Sequence, residues 1–481
     1  MTHTPRMPTR IEVSLVLVTF LLVMSLSVAI FAIPLQLSLF AMWLVFIGLG
    51  LRLRYSYADL QQSIINGISQ GLEGTLVLFA VGALIGTWIA GGIVPTLIYY
   101  GLQIIAPAFF LPATVILCAV TSLAVGTSFG TVGTAGIAML GIGASFGVPL
   151  PLTAGAVISG AYVGDKLSPL SDTTVMTASM TRLDVTAHIK GMLRITWPAL
   201  IGGIALFGIT GLFFVDESAD LSRAQFVAES LQDNFAIGWY NLIPAIIVLI
   251  LLGLQKPAIP VIAFGALLGI IWSCLFQGAP ILDAIITAYD GYRIDSGVEF
   301  LDSLLNSGGI TAMLGVIALI LLALGLGGLM ERIRIFEVFS RLFRQWIMNA
   351  KNERVKTGRL SLSTIVAAFS GNLFGSAAYV SLITGVKMTE GLYKELDVDR
   401  RVLSRNTEAG GTITAPLVPW SDAGVYMTAV LGLPTLSYLP FAWVNILGVI
   451  VAIAFGYMGK VTYEKKAYKK NPIENRVAMQ R

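Results

Sequence analysis

The chain has 481 residues, 56% of them hydrophobic and only 12% charged, with a mean hydropathy of +0.81 and a formal net charge of +4. This composition excludes a soluble domain of any size and places the chain among all-α polytopic membrane proteins. The small positive charge reports membrane orientation through its placement and calls for no nucleic-acid partner.

Arg6 and Arg10 precede an apolar run from Ile11 to Ala32, longer than the core of a cleavable signal, so it reads as a first retained span. A second span near 35–51 brings the chain back at Arg52 and Arg54. Residues 1–71 thus form a two-span segment with a cytoplasmic N-terminus, because Lys and Arg mark the inner ends of spans. From Gly74 to Gly164 there is no Asp, Glu, Lys, Arg or His, a run far longer than the ~20 residues that cross a bilayer once. Cys118 and Cys274, both in apolar surroundings, give neither a disulfide framework nor a metal-ligand spacing.

Within that run, Gly126 to Gly136 interleaves four glycines with Thr127, Ser128, Thr131 and Thr134, a composition suited to a turn inside the membrane. Exposed backbone at such depth must line a cavity or be covered by protein. Asp165 stands beside Lys166, and Pro169-Leu170-Ser171-Asp172 follows; proline removes a donor and disfavours helix before it, so a helix should restart near Ser171. His188 lies on an inner loop with Arg182, Lys190 and Arg194. If exposed it would titrate near neutral pH, although such a histidine usually has no special role.

The stretches near 216–235 and 279–306 each hold five acids and one arginine and read as outside loops. Between them, spans near 238–254 and 257–277 form a hairpin turning inside at Lys256; residues 216–309 are therefore a connecting unit. Both phrases of the first half then return, as Gly371-Asn372-Leu373-Phe374-Gly375-Ser376 and Pro419-Trp420-Ser421-Asp422. Segment 72–215 starts inside and ends outside, whereas 310–460 starts outside and ends inside, in a basic cytoplasmic tail at 461–481. Loop charges invert at matching places: Val94–Pro107 is uncharged where Glu331–Arg359 has eight Lys/Arg, and Ser145–Leu152 is uncharged where Lys387–Arg405 is charged. The expectation is two inverted-topology repeats with re-entrant hairpins and broken helices, the mark of a secondary transporter.

Ionisable groups inside a membrane are expensive and usually mark an ion or proton path. Asp172, Asp422, Glu408 and Asp165 are the candidate proton and ion sites. A hard monovalent cation needs several oxygen ligands, which unwound carbonyls and hydroxyls supply with a carboxylate for charge balance. In the first half those are Thr127, Ser128, Thr131, Ser171, Asp172 and Thr173; in the second, Asn372, Ser376, Thr412, Ser421 and Asp422. Plainer alternatives stay open. The glycines serve equally as a helix contact, the Ser-Asp pairs as N-caps, Asp165 as a partner of Lys166 and Glu408 as a partner of Arg405.

At Gly82-Ala83-Leu84-Ile85-Gly86-Thr87-Trp88-Ile89-Ala90, at Gly126–Thr131 and above all at Ser159–Thr174, the chain resembles the NhaC-type sodium/proton antiporter family. Thr407-Glu408 and Pro416-Leu417-Val418-Pro419-Trp420 extend the likeness to most of the chain from about 70 to 460. That family looks like part of the larger ion transporter superfamily, and Ser171-Asp172-Thr173 is similar to the Ser-Asn-Thr motif of other branches. Ala409 stands where the family commonly has an acid, and Ser421-Asp422-Ala423-Gly424 where it commonly has Asn-Thr-Cys-Gly.

The resemblance implies an inner-membrane, multi-pass exchanger of Na⁺ for H⁺ with no cofactor, the two ions being cargo, and with Asp172 as the favoured shared site. The alternative on the same fold is a Na⁺- or H⁺-coupled carrier of a small organic acid or amino acid, of the malate/lactate type. An intramembrane aspartyl protease is a distant third. The sequence leaves the oligomeric state open, a homodimer included.

Overall fold

The computed structural model describes residues 5–29, 33–69, 72–169, 171–214, 217–254, 256–296, 302, 305, 306 and 308–459. All regular structure among them is helical. Seven helices are long and apolar enough to cross a bilayer, or ten if each of three sharply bent pairs is one span. The protein is an all-α polytopic membrane protein. The expected basic tail at 461–481 lies outside the described residues.

Helices α1 (Arg10–Ala29) and α2 (Leu35–Arg52) are the two expected N-terminal spans, followed by α3 (Tyr57–Ser69). The first large segment holds α4 (Leu72–Ala90), α5 (Ile93–Ile104), α6 (Phe110–Val125), α7 (Ser128–Ser145), α8 (Leu150–Leu167), α9 (Asp172–Met180) and α10 (Val185–Phe214). A connecting unit follows with α11 (Glu217–Asn234), α12 (Ile243–Gly253), α13 (Ala258–Phe276) and α14 (Ile281–Asp290). The second large segment holds α15 (Ile310–Arg332), α16 (Ile335–Met348), α17 (Glu353–Gly375), α18 (Ala378–Glu395), α19 (Arg400–Gly410), α20 (Asp422–Leu431) and α21 (Trp443–Met458).

Two stretches expected as loops contain helices. Over 216–235 the acids hide a stripe in which Val227 and Leu231, one turn apart, are buried on α11. Over 279–306, α14 exposes Ile281, Leu282, Ile285 and Ile286 and buries Ala284, the pattern of a helix lying along an interface.

The two large segments run through the same backbone states in the same order. α6 ends at Gly126, left-handed at φ 79°, and Thr127 is extended at φ −145°, ψ 133°. α17 ends at Ser376, left-handed at φ 57°, and Ala377 is extended at φ −144°, ψ 141°. Gly147 (φ 75°) and Asp397 (φ 51°) then turn the chain, and Ser171 and Ser421 cap α9 and α20 from extended conformations. The interval between the halves is the same in each of these pairs. Glycine meets the left-handed requirement at 126 without strain, whereas Ser376 bears the cost of a Cβ there.

Both segments therefore contain a helix broken at a left-handed residue and a second break before a serine cap. In the first half Pro169 breaks α8 from α9; in the second, Gly411, Pro416 and Pro419 separate α19 from α20, with a 3₁₀ turn at Ala415–Leu417. Around these breaks α6 packs on α8, α17 on α18, α19 and α21, and α10 on α21, while α15 packs on α2, α3 and α4 to one side.

Candidate cargo site at the helix breaks

The ends of the broken helices meet at a cavity of about 520 Å³. Asp165, Asp172 and Asp422 all line it, joined by Thr127, Ser128, Thr173 and Thr412. The far wall is apolar, from Val77, Ile262, Ile320 and Leu324, and Lys256 stands at its edge. Carboxylates from both halves thus face one space.

Asp165 is the hub of the first half. It is buried at the end of α8, where its Oδ2 accepts the Ser128 hydroxyl at 2.7 Å and its Oδ1 accepts the Ser171 hydroxyl at 2.8 Å. Its backbone carbonyl accepts the hydroxyls of Thr173 (3.2 Å) and Thr174 (2.9 Å). These bonds tie three elements, the start of α7, the end of α8 and the start of α9, to one carboxylate. Lys166 is buried as well, but the Asp165 oxygens are taken by hydroxyls, so the expected local ion pair with Lys166 is not what engages them.

Asp172 is differently placed. It is exposed to the cavity, caps its own helix by accepting the Thr173 N–H at 2.8 Å, and accepts the hydroxyl of Tyr379, the second residue of α18. That bond crosses from one half to the other. A reciprocal contact joins Phe129 in α7 to Tyr426 in α20, stacked with centroids 4.1 Å apart and with the tyrosine hydroxyl donating to the Phe129 carbonyl at 2.6 Å. The two tyrosines were not singled out in the sequence. Their one signal is position, since Tyr379 sits as far beyond Ser376 as Phe129 sits beyond Gly126.

In the second half, Asp422 accepts backbone N–H groups of Ala378 (3.2 Å) and Ala423 (2.7 Å), and its own N–H donates to the Ser376 carbonyl at 2.8 Å. It caps two helix starts and lines the cavity at once. Ser421 is a cap: its hydroxyl accepts the Gly424 N–H at 2.9 Å and donates to the Ala415 carbonyl at 2.6 Å. Asn372 donates to the Gly411 carbonyl (2.7 Å) and to Thr414 (3.0 Å), which leaves its Oδ1 without a partner. The hydroxyls of Ser376, Ser381 and Thr412 are likewise buried without partners. Unsatisfied buried oxygens around a helix break are the donor set that a hard cation takes up.

Several of the expected groups do not line the cavity, Ser171, Asn372, Ser376 and Ser421 among them; Thr131 is also off its wall, buried and donating to the Thr127 carbonyl one turn back. Glu408 lies behind the wall, fully buried, and faces His188 at 3.8 Å instead of pairing with Arg405. His188, expected on an inner loop, is fully buried in the first turn of α10.

The sequence profile of the Na⁺/H⁺ antiporter family matches residues 2–212 and 183–460. The chain belongs to that family. It is 51% identical over 461 residues to the malate-2H⁺/Na⁺-lactate antiporter of Bacillus subtilis, covering 96% of this chain and 97% of that one. It is 34% identical to the Na⁺/H⁺ antiporter NhaC of Alkalihalophilus pseudofirmus, over 83% and 85% of the two chains. Against the arginine/ornithine antiporter ArcD of Halobacterium salinarum the identity is 32%, over 88% and 85%. The chain is a transporter and not an enzyme, and the protease alternative falls.

Proposed function

We propose that the protein is a Na⁺- and H⁺-coupled antiporter whose cavity takes small hydroxycarboxylates as well as the two ions. The observation that carries this reading is the make-up of the cavity: three carboxylates, a set of hydroxyls and one lysine around a space of about 520 Å³, far more than a bare ion fills. With three acids against Lys256, an organic anion is repelled until Na⁺ or H⁺ has neutralised the carboxylates. Anion entry and cation loading are then the same event.

The charge balance supports it further. Moving a bare charge across hydrocarbon is prohibitive, so a carrier does best with a neutral load. The Bacillus subtilis relative names two such loads, a dicarboxylate with two protons and a monocarboxylate with one Na⁺. On this reading Asp165 with Ser128, Ser171 and Thr173 forms one cation site, and Asn372, Ser376 and Asp422 supply the other. The two large segments act as inverted repeats, and Lys256 lies on the cytoplasmic side.

Exchange of Na⁺ for H⁺ alone is the second reading, favoured by the acidic excess in the cavity. Purified protein in proteoliposomes separates the two. Sodium-driven alkalinisation or acidification with no organic solute present supports simple exchange. Labelled malate or lactate flux that requires a Na⁺ or pH gradient supports the hydroxycarboxylate carrier, and failure of every hydroxy acid to move sinks it.

A further inference from the structure

Behind the cavity wall lies a group of buried polar atoms that the cargo site does not use. Glu408 on α19 has no exposed surface, and its carboxyl oxygens face the hydroxyls of Thr412 and Thr177 without closing a hydrogen bond of good geometry to either. His188 on α10 is equally buried; its Nδ1 lies 3.0 Å from Ser404 Oγ, and its Nε2, without a hydrogen-bond partner, stands 3.8 Å from Glu408 Oε1. Those hydroxyls, Thr177 Oγ1 on α9 and Thr412 Oγ1, have no other hydrogen-bond partner. Burying a carboxyl with so little hydrogen bonding is expensive, and a membrane chain retains such groups where they work.

The pair lies between the cavity and a turn of the chain. Thr412, four residues beyond Glu408 and past the end of α19, lines the cavity. His188 lies in the first turn of α10, next to the turn at 181–184. When Nδ1–H donates to Ser404, Nε2 is the free acceptor and points at the acid.

The charged or titratable groups around the pair are Lys166 and Asp165 from α8, both within electrostatic range of Glu408, and Arg405 on Glu408's own helix. From α18 comes Tyr393, whose hydroxyl meets Asn406 and Thr364. The buried residues of α17 are uncharged, α6 and α21 carry no charge at all, and α9 has only Asp172, at its cavity end.

We propose that His188 and Glu408 form a second proton-holding site outside the cargo cavity, through which the coupled proton passes between the cavity and the start of α10. The inference rests on the antiport reading above. One proton is shared. With it on Glu408 the pair is a neutral acid beside a neutral imidazole; transfer from Oε1 to Nε2 leaves a carboxylate beside an imidazolium, with no change in the total charge. Release of the Nδ1 proton through Ser404 Oγ then leaves a neutral imidazole, and a proton from the cavity side returns Glu408 to its acid form.

The test uses full-length protein in proteoliposomes with two assays, net proton-coupled flux and counterflow of labelled cargo at equal pH on both sides. The wild type comes first; silence in both assays, with Na⁺ and with hydroxy acids, overturns the antiport reading itself. In Glu408→Gln, proton-coupled flux falls by on the order of 10²-fold while counterflow stays near wild type. His188→Gln lowers proton-coupled flux and flattens its pH profile. The infrared carbonyl stretch of a protonated buried carboxyl, present in the wild type, is absent from Glu408→Gln. Wild-type proton coupling in Glu408→Gln, or equal loss of coupling and counterflow in a variant with an unchanged melting temperature, overturns the proposal. Should Glu408→Gln not fold, an unaltered pH profile in His188→Gln overturns it alone.

Discussion

Asp165 and Asp172 divide the work that the sequence assigns chiefly to Asp172. Lys166 beside Asp165 suggests a self-cancelling pair, but successive residues on a helix point about 100° apart, so neighbours in sequence do not share a face. Asp165 turns to Ser128 and Ser171 while Asp172 faces the cavity and Tyr379. Asp165→Asn keeps the volume and removes the charge that both hydroxyls serve. We expect it to lower stability by about 1–3 kcal/mol and to abolish Na⁺-dependent thermal stabilisation, read from melting curves with and without Na⁺. Ser376 is the opposite case, a side chain in a left-handed backbone whose buried hydroxyl has no partner. Ser376→Gly relieves roughly 1 kcal/mol of left-handed strain, so melting without Na⁺ should hold or rise while the stabilisation by Na⁺ shrinks. Stabilisation equal to wild type removes Ser376 from the cation site.

At the scale of elements, glycines set how closely helices cross, and two of them meet where α3 packs on α15. A Cβ at Gly328 would run into the Ser63 carbonyl and lie 3.1 Å from the Gly67 Cα, both backbone atoms that cannot step aside. Gly328→Ala should therefore cost about 1–3 kcal/mol and lower the melting temperature, with cargo affinity unchanged because the crossing lies off the cavity. The breaks were legible in the sequence since Gly126, Pro169, Pro416 and Pro419 act locally, through φ and a missing donor. Helices α11 and α14 were not: their apolar stripes are short and the acids around them dominate the composition.

For the molecule as a whole, Lys256, between α12 and α13, lines the cavity, and we expect the cavity to open on the side where Lys256 lies. Lys256→Cys should react with a membrane-impermeant thiol reagent added from one side only, and saturating cargo should slow that reaction; labelling from both sides at equal rates argues against a one-sided opening. Cys118 is buried and Cys274 half-buried, so each is replaced first to remove background. The sequence by itself determined the membrane class, the doubled phrases and the places where helices break, because hydropathy, proline and glycine act through solvation and local torsions. Only the tertiary structure decided which acids share a space. Asp165, Asp172 and Asp422 come together through the packing of helices distant in the chain, and Glu408 finds His188 across α10 and α19. Those meetings depend on crossing angles and facing directions, for which a linear order of residues carries no coordinate.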